Sequence, residues 1–147
     1  REMMRVAALE ARNAAAQAGL PPPRVIAVTI LTSLDPSGLR EVGFSELPGA
    51  AALSLARLAH EAGLDGVVCS PEEAAAIRMA LGTDFQLVVP GIRPEGSAAG
   101  DQKRIATPAS AVASGADLLV VGRPITQDTD PRGAARRVVG EIALALT

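Results

Sequence analysis

Aromatic side chains are all but missing from this chain. Phe44 and Phe85 stand alone among 147 residues, with no Trp or Tyr. Stacking platforms for single-stranded nucleic acid are thereby excluded, and any core has to be assembled from Ala, Val, Leu and Ile. There is one cysteine, Cys69, so no disulfide can form within the chain, and a reducing compartment is the simpler setting. There is one lysine, Lys103, and one histidine, His60. Charge of neither sign dominates: 14 Lys+Arg against 16 Asp+Glu leaves a net −2, with no basic footprint for nucleic acid or an anionic membrane. No apolar run reaches the roughly 18 residues of a membrane span, and no segment has the layout of a signal peptide. What is there, 48% hydrophobic and 20% charged, is the balance of a globular protein. The length suits about one domain, yet an opening at Arg1 rather than Met leads us to expect a piece of something longer.

Four short apolar runs read as buried strands: Val25 to Leu31, Gly66 to Cys69, Phe85 to Val89 and Leu118 to Val121. Each is continuous rather than alternating, the pattern of parallel strands covered on both faces. Helical composition fills Glu2 to Ala18, Ala50 to Ala62, Pro71 to Leu81, Pro108 to Ala113 and Pro131 to Leu146. Ser70-Pro71, Thr107-Pro108 and Asp130-Pro131 each put a capping side chain before a Pro, whose fixed φ suits the first helical turn. Ser70 with Glu73 has capping-box spacing, and Asp35-Pro36 predicts a further short helix. Gly63-Leu64-Asp65, Gly82-Thr83-Asp84 and Gly115-Ala116-Asp117 each place a helix-stopping Gly and then an Asp before a strand. Repeated βα units and a parallel sheet follow. Four such units make either a small open sheet or half of an eight-stranded barrel.

In parallel α/β folds the functional groups gather at the carboxyl ends of the strands. Here those ends read Thr32-Ser33, Ser70, Pro90-Gly91-Ile92-Arg93-Pro94 and Gly122-Arg123-Pro124-Ile125. Gly lets backbone N–H groups approach an anion and Arg adds a forked permanent cation, so two such ends in succession point to a phosphate site. The stretch from Arg93 to Thr107 is long, with Gly96-Ser97-Ala98-Ala99-Gly100 at its centre, and reads as a candidate lid whose Gln102 could donate to a phosphate. Arg104, Arg132, Arg136 and Arg137 read as surface ion-pair partners.

The runs Val28-Thr29-Ile30-Leu31-Thr32-Ser33, Gly63 to Ser70, Pro90 to Pro94, Asp101-Gln102-Lys103-Arg104 and Val121 to Thr126 resemble the bacterial orotidine 5′-phosphate decarboxylases, in order and at family-like spacing. Related phosphosugar barrels, such as the hexulose-phosphate synthases, resemble only the Gly-Arg end. The resemblance implies that residues 1–147 are the C-terminal half of a single (β/α)8 TIM-barrel domain, strands five to eight. It implies phosphate and nucleotide binding at Arg93, Gln102, Gly122 and Arg123. It places Thr32, with Ser33 beside it, near the pyrimidine. The family converts orotidine monophosphate (OMP) to uridine monophosphate (UMP) and CO2 without cofactor or metal. The expected partners are therefore the nucleotide and a second copy in a cytoplasmic homodimer, with no nucleic acid and no membrane. In that reaction a Lys protonates the carbanion left on the ring while flanking Asp residues disfavour the substrate carboxylate. Binding energy from the remote phosphate is used in the transition state.

The family's catalytic motif, Asp-x-Lys-x-x-Asp, is not in this sequence, so no catalytic residue is assigned. Asp101-Gln-Lys103-Arg-Ile-Ala106 has only its first half, and Lys103 reads as solvated. His60 has no neighbour at metal-ligand spacing, and no metal site is expected. Cys69 reads as a small core residue, and Glu72 and Glu73 as favourable charges opening a helix. Asp65, Asp84 and Asp117 fall at strand entrances, the wrong rim for chemistry. The competing reading is a catalytically inactive half barrel that binds phosphate or self-associates.

Overall fold

The computed structural model describes residues 1–95 and 104–146. Its elements run α1 (Glu2–Gln17), β1 (Ile26–Val28), α2 (Pro36–Glu41), α3 (Pro48–Glu61), β2 (Gly66–Val68), α4 (Pro71–Leu81), β3 (Gln86–Val89), α5 (Pro108–Ala113), β4 (Leu118–Leu119), α6 (Arg123–Thr126) and α7 (Pro131–Ala145). The strands form one sheet in sequence order, β1-β2-β3-β4, and every neighbouring pair is parallel. Sequence order with a helix in each crossover is the winding of a (β/α)8 barrel.

The punctuation behaves as its chemistry requires. Asp35 accepts from the N–H groups of Ser37 and Gly38, Thr107 from that of Ser110, and Asp130 from that of Gly133. Each thereby satisfies orphan donors of a first helical turn. At Ser70 only the return arm of the expected capping box is made: Glu73 Oε2 accepts from the Ser70 N–H at 2.7 Å, while the Ser70 hydroxyl is buried without a hydrogen-bond partner. Gly63, Gly82 and Gly115 all adopt left-handed φ values, +80°, +78° and +95°. Helix α3 opens two residues before the expected Ala50, at Pro48, without a side-chain cap. A Pro at the first helical position needs no cap for an N–H it does not have.

All four strands are shorter than the expected apolar runs, β2 and β3 by one residue and β1 and β4 by more. Thr29 makes the last rung from β1, its N–H reaching Val68 O at 3.1 Å. Beyond it Ile30 turns into a small second core with Leu39, Ala51 and Ala52. β4 has a neighbour on one side only, and past Leu119 one further bond, Val120 N–H to Val89 O, continues the ladder.

The main core lies between the sheet and its helices, built on Val67, Leu87 and Val89 against Ala56, Ala59 and Ile77. Alanines on α3 allow close helix–sheet approach, which is how a chain poor in aromatics fills its interior. Ile26, Val28, Leu118 and Val120 are exposed, and the register sets Val28, Val68, Val88 and Leu118 in one row across the sheet. In a closed barrel that row would face the interior.

Candidate functional site

Parallel registration carries the four strand exits to one rim. Thr32 follows β1, Ser70 follows β2, Arg93 follows β3, and Gly122 and Arg123 follow β4. Gln102 lies outside the described residues, as does Lys103.

At the exit of β3, Gly91 takes a φ of +78°, a conformation open to glycine at no steric cost, and the chain turns back on itself. Ile92 bridges Ala106: Arg93 N–H donates to Ala106 O at 2.8 Å and Ala106 N–H to Gly91 O at 3.3 Å. The Arg93 side chain is buried, and its Nη1 donates to Ile92 O at 2.8 Å. Arg93 is therefore not a surface arginine. Thr32 is buried as well.

Arg123 is exposed and opens α6, a single turn that the apolar pattern did not reveal. The N–H groups of Ile125 and Thr126 return to Gly122 O, which makes Gly122 the pivot from strand to turn. Pro94 and Pro124, the immediate neighbours of Arg93 and Arg123, line one cavity of about 280 Å³ together with Glu95, Asp128, Arg137 and Glu141. Among the described residues its lining sets three carboxylates against one guanidinium, a balance that disfavours an anion.

Arg104 departs from the expected surface role. It is buried, forms an ion pair with Glu73, and donates from Nη2 to the carbonyls of Ile30 (3.2 Å) and Leu31 (2.8 Å). A charge enters an interior only with partners, and here α4 supplies the carboxylate while the chain leaving β1 supplies two acceptors. Burial pulls the Arg104 guanidinium below its ordinary value, with the nearby charge of Glu72 acting in the opposite sense. Arg137 is the expected exposed partner, of Asp128 at 2.7 Å.

The remaining candidates are structural. Cys69 is buried behind the sheet, and desolvation pushes its thiol up to about 12. His60 packs its ring edge-on to Phe85, with centroids 5.2 Å apart. Asp65 and Asp117 tie each strand entrance to its neighbour, accepting from the N–H groups of Val25 and Leu87 at 2.7 Å each. Among the described residues no cluster of His, Cys, Asp and Glu could hold a metal, and no helix is long and apolar enough to cross a membrane.

The sequence model of the Orotidine 5'-phosphate decarboxylase / HUMPS family matches residues 2–138. The chain belongs to that family. An orotidine 5'-phosphate decarboxylase of Paramagnetospirillum magneticum is 52% identical over 142 residues, which cover 97% of this chain and 60% of that protein. One from Halorhodospira halophila is 58% identical over 121 residues, covering 82% of this chain and 51% of that protein. The crystal structure of orotidine 5'-phosphate decarboxylase from Lactobacillus acidophilus superposes with a TM-score of 0.75 at 36% identity, covering 95% of this chain and 58% of that one. The chain thus spans between half and three fifths of the length of these relatives. Family membership agrees with the resemblance carried by the rim runs. It did not require the Arg104–Glu73 pair, which sequence reasoning missed because nothing local links residues 31 apart.

Proposed function

We propose that this chain is the C-terminal, phosphate- and nucleotide-binding half of an orotidine 5′-phosphate decarboxylase barrel. The observation that carries the reading is the rim: four consecutive parallel strands deliver Thr32, Ser70, Arg93 and Arg123 to one side of a chain 52% identical to a protein of that name. Arg93, Gln102, Gly122 and Arg123 hold the phosphate of OMP, and Thr32 or its neighbour Ser33 faces the pyrimidine. The groups that protonate the ring carbanion come from the other half of the protein, since the Asp-x-Lys-x-x-Asp motif is not in this sequence. No cofactor and no metal enter the reaction. The phosphate grip contributes to rate, because binding energy gained away from the reacting carbon lowers the barrier when it is realised in the transition state.

The complete protein acts in the cytoplasm as a homodimer on a small nucleotide, without nucleic acid or membrane partners. The near-neutral charge, the scarcity of aromatics and the single buried thiol support that setting.

Titration of the complete protein with UMP tests the grip. Arg123→Ala should weaken binding about tenfold or more, since a charge-assisted contact contributes roughly 1.5–3 kcal/mol. Unchanged affinity would remove Arg123 from the site. A second reading, in which the isolated chain mainly self-associates, is favoured by the exposed aliphatic row of β1 and β4.

A further inference from the structure

The buried ion pair between Arg104 and Glu73 is not among the residues of the proposed phosphate grip, yet the exits of β1 and β2 meet on it and that of β3 pairs with the chain two residues beyond. Arg104 Nη2 takes the carbonyls of Ile30 and Leu31, the two residues leading into Thr32. Its Nη1 pairs with Glu73 Oε1, and Glu73 Oε2 accepts the N–H of Ser70, where β2 passes into α4. Two residues further on, Ala106 bridges Ile92 and accepts the N–H of Arg93. The Arg104 side chain therefore joins the exits of β1 and β2, and the backbone two residues further on, at Ala106, joins that of β3.

Stability alone does not account for this choice. A well-packed apolar pair in the same space is often as stable as a buried ion pair. The Arg104 Nε is moreover buried without a hydrogen-bond partner, a cost that such a pair would not carry. What an apolar pair could not do is hold two carbonyls of an irregular segment at a fixed distance from a carboxylate. A planar fork with five donors can.

We infer that Arg104, held by Glu73, is a positioning residue that fixes the backbone leaving β1, and with it Thr32, relative to Arg93 at the exit of β3. This inference rests on the reading of the rim as a nucleotide site. The segment needs such a device because its own ladder ends at Thr29.

The test compares four forms of the complete protein: wild type, Arg104→Met, Arg104→Lys, and the double variant Glu73→Gln with Arg104→Met. Each is followed by thermal unfolding and by calorimetric titration with UMP. Arg104→Met alone leaves a buried carboxylate unpaired and should lower both melting temperature and affinity. The double variant removes that stranded charge and should recover the melting temperature. Its affinity for UMP should stay lower by on the order of tenfold or more, because small misplacements of binding groups are expensive. Recovery of affinity together with melting temperature would make the pair merely structural and overturn the proposal. Should the double variant fail to fold, Arg104→Lys decides: a retained melting temperature with weakened UMP binding supports positioning, and unchanged binding overturns it. Wild-type protein that does not bind UMP would defeat the nucleotide reading itself, and the positioning role with it, before any variant is compared.

Discussion

Arg78 uses every N–H it has. Nε and Nη2 donate to Gly115 O, Nη1 to the carbonyls of Gly82 and Phe85, and Nη2 also to Asp117 at 2.6 Å. It rivets the amino-terminal rim much as Arg104 ties the carboxyl-terminal one. Neither could be told from a solvated arginine in the sequence, because their carboxylate partners lie 31 and 39 residues away. Arg93 and Arg123 stood out in the sequence for the opposite reason: each stands next to or near a glycine just past a strand, a purely local pattern. Cys69 was read correctly as a core residue, and its burial has a measurable consequence. With the thiol held protonated up to about 12 against an ordinary 9.0, a thiol reagent at pH 8 should label the folded protein only as fast as it unfolds. The sign of the pH effect follows. The unfolded thiol ionises first, so this group's contribution to stability is fully present below about pH 9 and fades as pH rises toward 12. Rapid labelling of native protein would contradict the burial.

At the scale of the elements, the helix starts at Asp35, Thr107 and Asp130 were readable because Thr or Asp before Pro is a local chemical device. By contrast α3, opened by Leu47 and Pro48, and α6 carry no such signal. Strand ends were not readable, because what stops a strand here is another part of the fold. The apolar run continues to Leu31, but Arg104 claims the carbonyls of Ile30 and Leu31 that a ladder would have used. Gly66 shows the same dependence on a neighbour. A Cβ at that position would stand 2.2 Å from Gln86 O, so β2 and β3 approach more closely at their paired start than any other residue permits. Gly66→Ala should therefore destabilise the complete protein by about 1–3 kcal/mol, the cost of overpacking a fixed site, read as a lowered denaturant midpoint. An unchanged midpoint would mean that the two strands separate freely.

For the whole molecule, the winding order was implied by four βα repeats, and family membership followed from the runs at the strand exits. The sheet's unpartnered face was implied as well, since strands read as buried on both sides need a second cover. The structure supplies helices on one side only to Val28 and Leu118, which remain 59% and 52% exposed. Together with Ile26 and Val120 they form aliphatic surface on the two edge strands, and burying each such side chain contributes roughly 1.5–3 kcal/mol. The isolated 147-residue chain should accordingly dimerise or aggregate through these edges. Size-exclusion chromatography with light scattering checks this, and a monodisperse monomer would defeat the edge argument. The division of labour between phosphate grip and proton donor is tested most directly by OMP decarboxylation, followed as the loss of the substrate's ultraviolet band, with the complete protein and with this chain alone. The complete protein should consume OMP without added metal or cofactor, and the chain alone should not. Turnover by the 147 residues alone, or none by the complete protein, would contradict the account.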